Sequence, residues 1–318
     1  MNSSAPALLE TPRCVWEAGA ELGEGTCWSE RDQALWWVDI LGHRLHRYGP
    51  ATGERRSWGF RETISAVAER EHRSGLIVAL QHALALFEPA TGELRRLQVP
   101  EPDRPGNRLN DGKCDARGRF WAGTMDFAAV ARTGALWRYS ARAGAGASPA
   151  VPEGDPDAFG VCEPALDAGF AVTNGPAWSR DARTMWFNDT VAGTVHAYAF
   201  DLERGTVGAG RAFLQFGRAD GHPDGMTTDA DGRLWIAHWG GACVTCHDPR
   251  EGRELLRVPL PAAQITNVAF GGPDLDTLYI TSARSGLDSA RLAAEPLAGG
   301  LFAVRTTARG VPAHRFAG

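Results

Sequence analysis

The stretch Gly221–Gly241, GHPDGMTTDADGRLWIAHWGG, decides the fold. Asp224 stands between a proline and a glycine, and Trp235 follows eleven residues later inside the apolar run RLWIAHW. The same arrangement recurs along the chain. Short apolar runs QALWWVDI, SGLIVAL, GRFWAGT, RTMWFND, GRLWIAH and DTLYITS carry Trp36, Ile77, Trp121, Trp186, Trp235 and Tyr279 in equivalent places. Successive markers are 41, 44, 65, 49 and 44 residues apart. A period of roughly forty to fifty residues built from short strands signals a repeat architecture of the propeller kind.

Each marker run is followed by a turn and a second alternating segment, for example RLHRYGPATGE, ALALFEPATGE and CVTCHDPREG. Alternation closed by Gly, Pro or Asp reads as strand and hairpin. The reading is an all-β chain: a six-bladed β-propeller with four-stranded antiparallel blades. It forms one domain over residues 1–318, with a short N-terminal extension to about residue 13. A seven- or eight-bladed propeller of the WD type would bring Gly-His and Trp-Asp pairs, which the sequence lacks. The long step between Trp121 and Trp186 predicts one insertion between Asp126 and Phe170, and DSARLAAEPLAGG predicts a turn or two of helix.

Composition narrows the function classes. The chain has 318 residues, 43% of them hydrophobic, and a net charge of −5. No basic cluster suggests nucleic acid. No run approaches the ~20 apolar residues of a membrane span, and the first residues lack the basic and apolar regions of a signal peptide. The expectation is a soluble, cytoplasmic monomer or weak homo-oligomer with neither nucleic-acid nor membrane partner. Six cysteines are thinly spread. The one C-x-x-C, Cys243 and Cys246, has no second pair, and residues three apart on a strand face opposite sides.

Counting back eleven or twelve residues from the markers gives Glu24, Asn110, Asn174 and Asp224, with Ser65 and either Thr266 or Asn267 in the remaining repeats. Equivalent positions of a propeller form a ring around its channel, and the spacing sets this slot just before the innermost strand, at one mouth. Carboxylate and amide oxygens so gathered suit a hard divalent cation. If they only capped strands, two carboxylates would be buried together with no counter-charge. Other motifs carry less. DADG (229–232) lacks the Glu that would complete a calcium loop and reads as a turn. There is no H-E-x-x-H, and no G-x-S-x-G elbow for a serine hydrolase. His222 and His238 flank the Asp224 segment, and Trp28, Trp178 and Trp239 lie near the slots.

LGEGTCW, WWVDI, RLNDGKCDARGRFWAGTM, TNGPAWSRD, HPDGMTTDADGRLWIAHWGG, FGGPDLDTLYITSAR and PLAGGLFAV follow one another between about Cys14 and about Arg305. Together they resemble the SMP-30/gluconolactonase/regucalcin family. That resemblance implies one divalent ion held by Glu24, Asn174 and Asp224. Calcium is the first expectation, with zinc, magnesium, manganese or iron also compatible. It makes Asp224 the general base and Arg108 and Asn110 contacts to substrate and a bound water. Asp126 takes the place of an acidic residue that touches sugar in some members, although a mostly apolar run follows it here. The implied activity is metal-dependent hydrolysis of a small-molecule sugar lactone, such as glucono-, xylono- or arabinonolactone, to the aldonic acid. The alternatives are a non-catalytic calcium-binding regulatory protein, or a lactonase or esterase acting on non-sugar lactones or organophosphates.

Overall fold

Six four-stranded antiparallel sheets succeed one another along the chain in the computed structural model, which describes residues 5–142 and 159–318. Blade 1 runs through Gly23–Ser29, Ala34–Asp39, Arg44–Gly49 and Glu54–Gly59, and blades 2 to 5 repeat that meander. The first strands of successive blades pack against each other in a closed circle, which makes them the channel wall. The expected innermost strand is thereby corrected. The marker aromatics lie on the second strand of each blade, and the glycine-rich segments ahead of them are themselves the inner strands. Such segments do not alternate, because they are enclosed on both faces. Gly23–Ser29 is buried throughout.

Blade 6 closes the ring. Its inner strands Ile265–Gly271, Thr277–Ser282 and Leu301–Arg305 come from the end of the chain, and its outer strand Arg13–Trp16 from the beginning. Residues just past the expected N-terminal extension are thus the clasp, and Leu8 adds a bridge to Thr306. The insertion expected between Asp126 and Phe170 falls in blade 3. It comprises the turn after Asp126, the long strands Gly134–Ala141 and Gly160–Phe170, and residues 143–158, which lie outside the described residues. The helix expected near the end is Ser289–Ala294, capped by the Asp288 side chain, which accepts from Arg291 N. No described helix is long and apolar enough to cross a membrane.

The core lies between blades. Trp121, Trp186 and Trp235 are buried, each packed against residues of the next blade. Burying such a ring stabilises by roughly 1.5–3 kcal/mol or more. One device appears twice. In DARGRFW and DADGRLW the leading aspartate binds its own turn, the arginine and the indole. Asp115 Oδ2 accepts from Arg119 Nε at 2.7 Å and Trp121 Nε1 at 2.8 Å. Asp229 Oδ2 accepts from Arg233 Nε at 2.8 Å and Trp235 Nε1 at 2.9 Å. The DADG segment is therefore a turn that fixes the marker tryptophan.

Candidate functional site

All six inner strands break register with their neighbours at the same place. The shift falls between Glu24 and Cys27, Ile64 and Ala66, Leu109 and Gly112, Asn174 and Ala177, Pro223 and Met226, and Ile265 and Val268. A bulge leaves a residue unpaired and re-aims its side chain. Each slot residue sits at its strand's bulge. Gly25, directly after Glu24, has φ 58°, a left-handed conformation that glycine adopts without steric cost. Gly225, directly after Asp224, lies so close to its neighbour that a Cβ there would meet Asn267 Nδ2 at 2.3 Å. Local sequence thus bends the inner strands where the ring is built.

A cavity of about 350 Å³ opens at this mouth. Its polar lining is Glu24, Arg108, Asn110, Asn174, Thr190, His222 and Asp224. A chain of hydrogen bonds sets the floor. Arg108 donates to Asn110 Oδ1 at 2.6 Å. Asn110 Nδ2 donates to Asn174 Oδ1 at 3.1 Å and to Thr173 O at 2.6 Å. Asn174 Nδ2 donates to Thr190 Oγ1 at 2.9 Å. On the other side Asn267 Nδ2 donates to Glu24 Oε2 at 2.9 Å, and Asn188 Nδ2 holds the Asp224 carbonyl at 2.6 Å. Glu24, Arg108, Asn110, Asn174 and Asp224 are all buried.

Charge is concentrated here. Burial, then the Asp111 charge, pushes the Glu24 carboxyl up to about 7. Burial, then Glu24 and Asp111, pushes Asp224 well above the ordinary carboxylate range. The Glu24 and Asp224 carboxyl groups lie close enough to influence each other's protonation. Desolvation lowers the Arg108 guanidinium to about 10 against the pull of both carboxylates. Below them Asp111 accepts from Gly112 N at 2.8 Å and Gly175 N at 2.9 Å, and Lys113 donates to Met226 O.

This donor set fits a divalent cation. Two carboxylates buried side by side repel each other and resist ionisation, and a divalent cation between them would offset both effects. Among the described residues no group of three His, Cys, Asp or Glu gathers as a metal site; here an amide oxygen, Asn174 Oδ1, would join the two carboxylates. Oxygen-only sets of this kind suit hard ions.

The structure brings Glu24, Arg108, Asn110, Asn174 and Asp224 to one cavity. Asp126 is not among its lining residues. Its Oδ2 accepts from Val130 N at 2.9 Å and Ala131 N at 2.8 Å, so the carboxylate ties a surface turn. His222 lines the cavity and its Nδ1 lies 3.0 Å from Thr190 O. His238 is buried instead, 2.6 Å from Thr245 Oγ1. Trp239 lines this cavity, whereas Trp28 and Trp178 line another, beside Val311–His314 of the C-terminal segment. Sequence reasoning did not single out the orienting amide Asn188 or the buried Lys113. Asn267 stands twelve residues before Tyr279, on the ring offset, where the sequence offered it as the alternative to Thr266.

Comparison with known proteins agrees with the propeller fold. Residues 22–284 match the model of the SMP-30/gluconolactonase/LRE-like region. A 6-deoxy-6-sulfogluconolactonase of Pseudomonas putida is 36% identical over 313 residues, 98% of this chain and 100% of that one. A pentonolactonase of Haloferax volcanii is 34% identical over 305 residues, covering 95% and 96%. The crystal structure of a calcium-binding protein, regucalcin, from Agrobacterium tumefaciens superposes with a TM-score of 0.85 at 29% identity, over 97% of this chain and 100% of that one. By the reach of these matches and the propeller they share, the chain belongs to the SMP-30/gluconolactonase/LRE-like family.

Proposed function

We propose that the protein is a carboxylic ester hydrolase that opens a sugar lactone to its aldonic acid, with a divalent cation held by Glu24, Asn174 and Asp224. The observation that carries the reading is the guanidinium of Arg108 beside two buried carboxylates in one open cavity. A site that only stored a cation would gain nothing from a buried positive charge next to it. Lactonases among the relatives support the choice of substrate.

The residues divide the work. A bound divalent cation would supply Lewis acidity toward the lactone carbonyl. Arg108, pinned by Asn110 and the Leu109 carbonyl, offers its remaining N–H groups to substrate oxygens or to the developing oxyanion. Asp224 accepts the proton of the attacking water; burial and the Glu24 and Asp111 charges raise its basicity, and a bound cation would lower it again. Asn110 links Arg108 and Asn174 in one chain of hydrogen bonds. The ring-opening then needs a proton on the leaving alkoxide, which protonated Asp224 can return.

The test is acid release, followed by pH-stat, on a panel of pentono- and hexonolactones. The reading expects enzyme-dependent opening of at least one of them well above spontaneous hydrolysis. Spontaneous rates across the whole panel would overturn it.

A further inference from the structure

Above its polar floor the cavity has apolar walls. Met125 and Ala129 come from blade 3, Val172 and Val191 from blade 4, and Leu22 from the approach to blade 1. The Phe127 ring continues the blade 3 wall, with its centre 5.8 Å from the Arg108 guanidinium carbon. Phe127, Val130 and Val191 are 46%, 78% and 49% exposed. The three lie in the two turns beside the cavity, those after Asp126 and Asp189.

The polar side chains of the blade 3 turn are engaged elsewhere. Asp126 binds the backbone of Val130 and Ala131. Arg132 pairs with Asp189 at 2.7 Å, and Thr133 donates to Asn107 Oδ1 at 2.7 Å. What the turn offers a ligand is a ring and methyl groups. A hydroxyl lodged there would lose water without gaining a partner, whereas an alkyl group would gain by burial.

We propose that this wall receives an apolar end of the substrate, so that the preferred lactones are deoxy or alkyl-substituted aldonolactones in place of fully hydroxylated ones. The proposal rests on the lactonase reading and names the substrate class of the same site. Ala129 gives a way to change the wall without disturbing the backbone. Its φ of 57° is left-handed, a conformation asparagine tolerates better than most residues.

The experiment compares kcat/KM for matched γ-lactones that differ by one terminal hydroxyl: L-fuconic against L-galactonic, and L-rhamnonic against L-mannonic. The deoxy member of each pair should be favoured by roughly 10–100-fold, the range over which an apolar pocket rejects an added hydroxyl. Ala129→Asn, and separately Val191→Asn, should narrow that ratio several-fold, with circular dichroism reporting the fold. Either variant narrowing it while retaining the fold supports the wall. Equal or higher kcat/KM on the hydroxylated members overturns this proposal and leaves lactone hydrolysis standing. Absence of hydrolysis for all four, and for the wider panel, overturns the lactonase reading and this proposal together.

Discussion

Asn267 Nδ2 lies 2.9 Å from Glu24 Oε2, so an amide of the last blade holds a carboxylate of the first. The amide is itself fixed, because Asn267 Oδ1 accepts from Thr26 Oγ1 at 2.7 Å and from Val268 N at 2.9 Å. This bond favours the charged form of Glu24 and opposes the effect of burial. Asn267→Ala should therefore raise the proton affinity of Glu24 and leave it less well aimed. A hydrogen bond to a charged group is worth about 1.5–3 kcal/mol, so divalent-cation affinity should fall by roughly 10–100-fold. Calorimetric titration with calcium measures it, with a thermal melt to confirm folding. Wild-type affinity in a folded Asn267→Ala protein would show that Glu24 needs no such orientation.

Asp224 and Arg108 should fail differently. Asp224→Asn keeps an oxygen for the cation but cannot take a proton, so turnover should fall by roughly 10²–10⁴-fold with weakened cation binding. Arg108→Ala should lower kcat/KM and leave a cation bound, and the two carboxylates it faces should become harder to ionise. Initial rates at saturating metal, paired with calcium titrations of both variants, separate the roles. Near wild-type turnover in Asp224→Asn would remove Asp224 as the base.

Much of this architecture was legible in the sequence because the repeat is a backbone requirement. Each blade needs a large apolar residue on its second strand to fill the space between blades, an aromatic in five blades and Ile77 in blade 2, and Trp36 to Tyr279 record that need at a near-constant period. The ring residues followed from counting. Two things were not legible. The inner strands, such as Asn107–Cys114, carry glycine and polar residues and no period of two, since both their faces are enclosed and their register breaks at a bulge. The fate of Asp126 was hidden as well. Its carboxylate could reach either a ligand or its own turn, and the following turn, with Ala129 left-handed, turns the backbone amides of Val130 and Ala131 toward it.

Two buried histidines should make the fold acid-sensitive. Burial holds His46 and His238 near 4, below the ordinary 6.5. Unfolded, each takes a proton near 6.5; folded, only near 4. Their contribution to stability is complete above about 6.5 and is lost as pH falls from there toward 4. Urea unfolding at several pH values across that window should show the decline, and His238→Gln, which carries no titrating ring, should reduce its slope. An equal decline in wild type and variant would mean that His238 is not the group that titrates.

The most direct measurement is lactone opening by protein stripped with a chelator, before and after divalent cations are restored one at a time. The account predicts that stripping abolishes turnover and that calcium or another hard divalent ion restores it in the wild type, while Glu24→Ala stays inactive at cation concentrations that saturate the wild type. Full turnover by the stripped protein, or by Glu24→Ala, would contradict it.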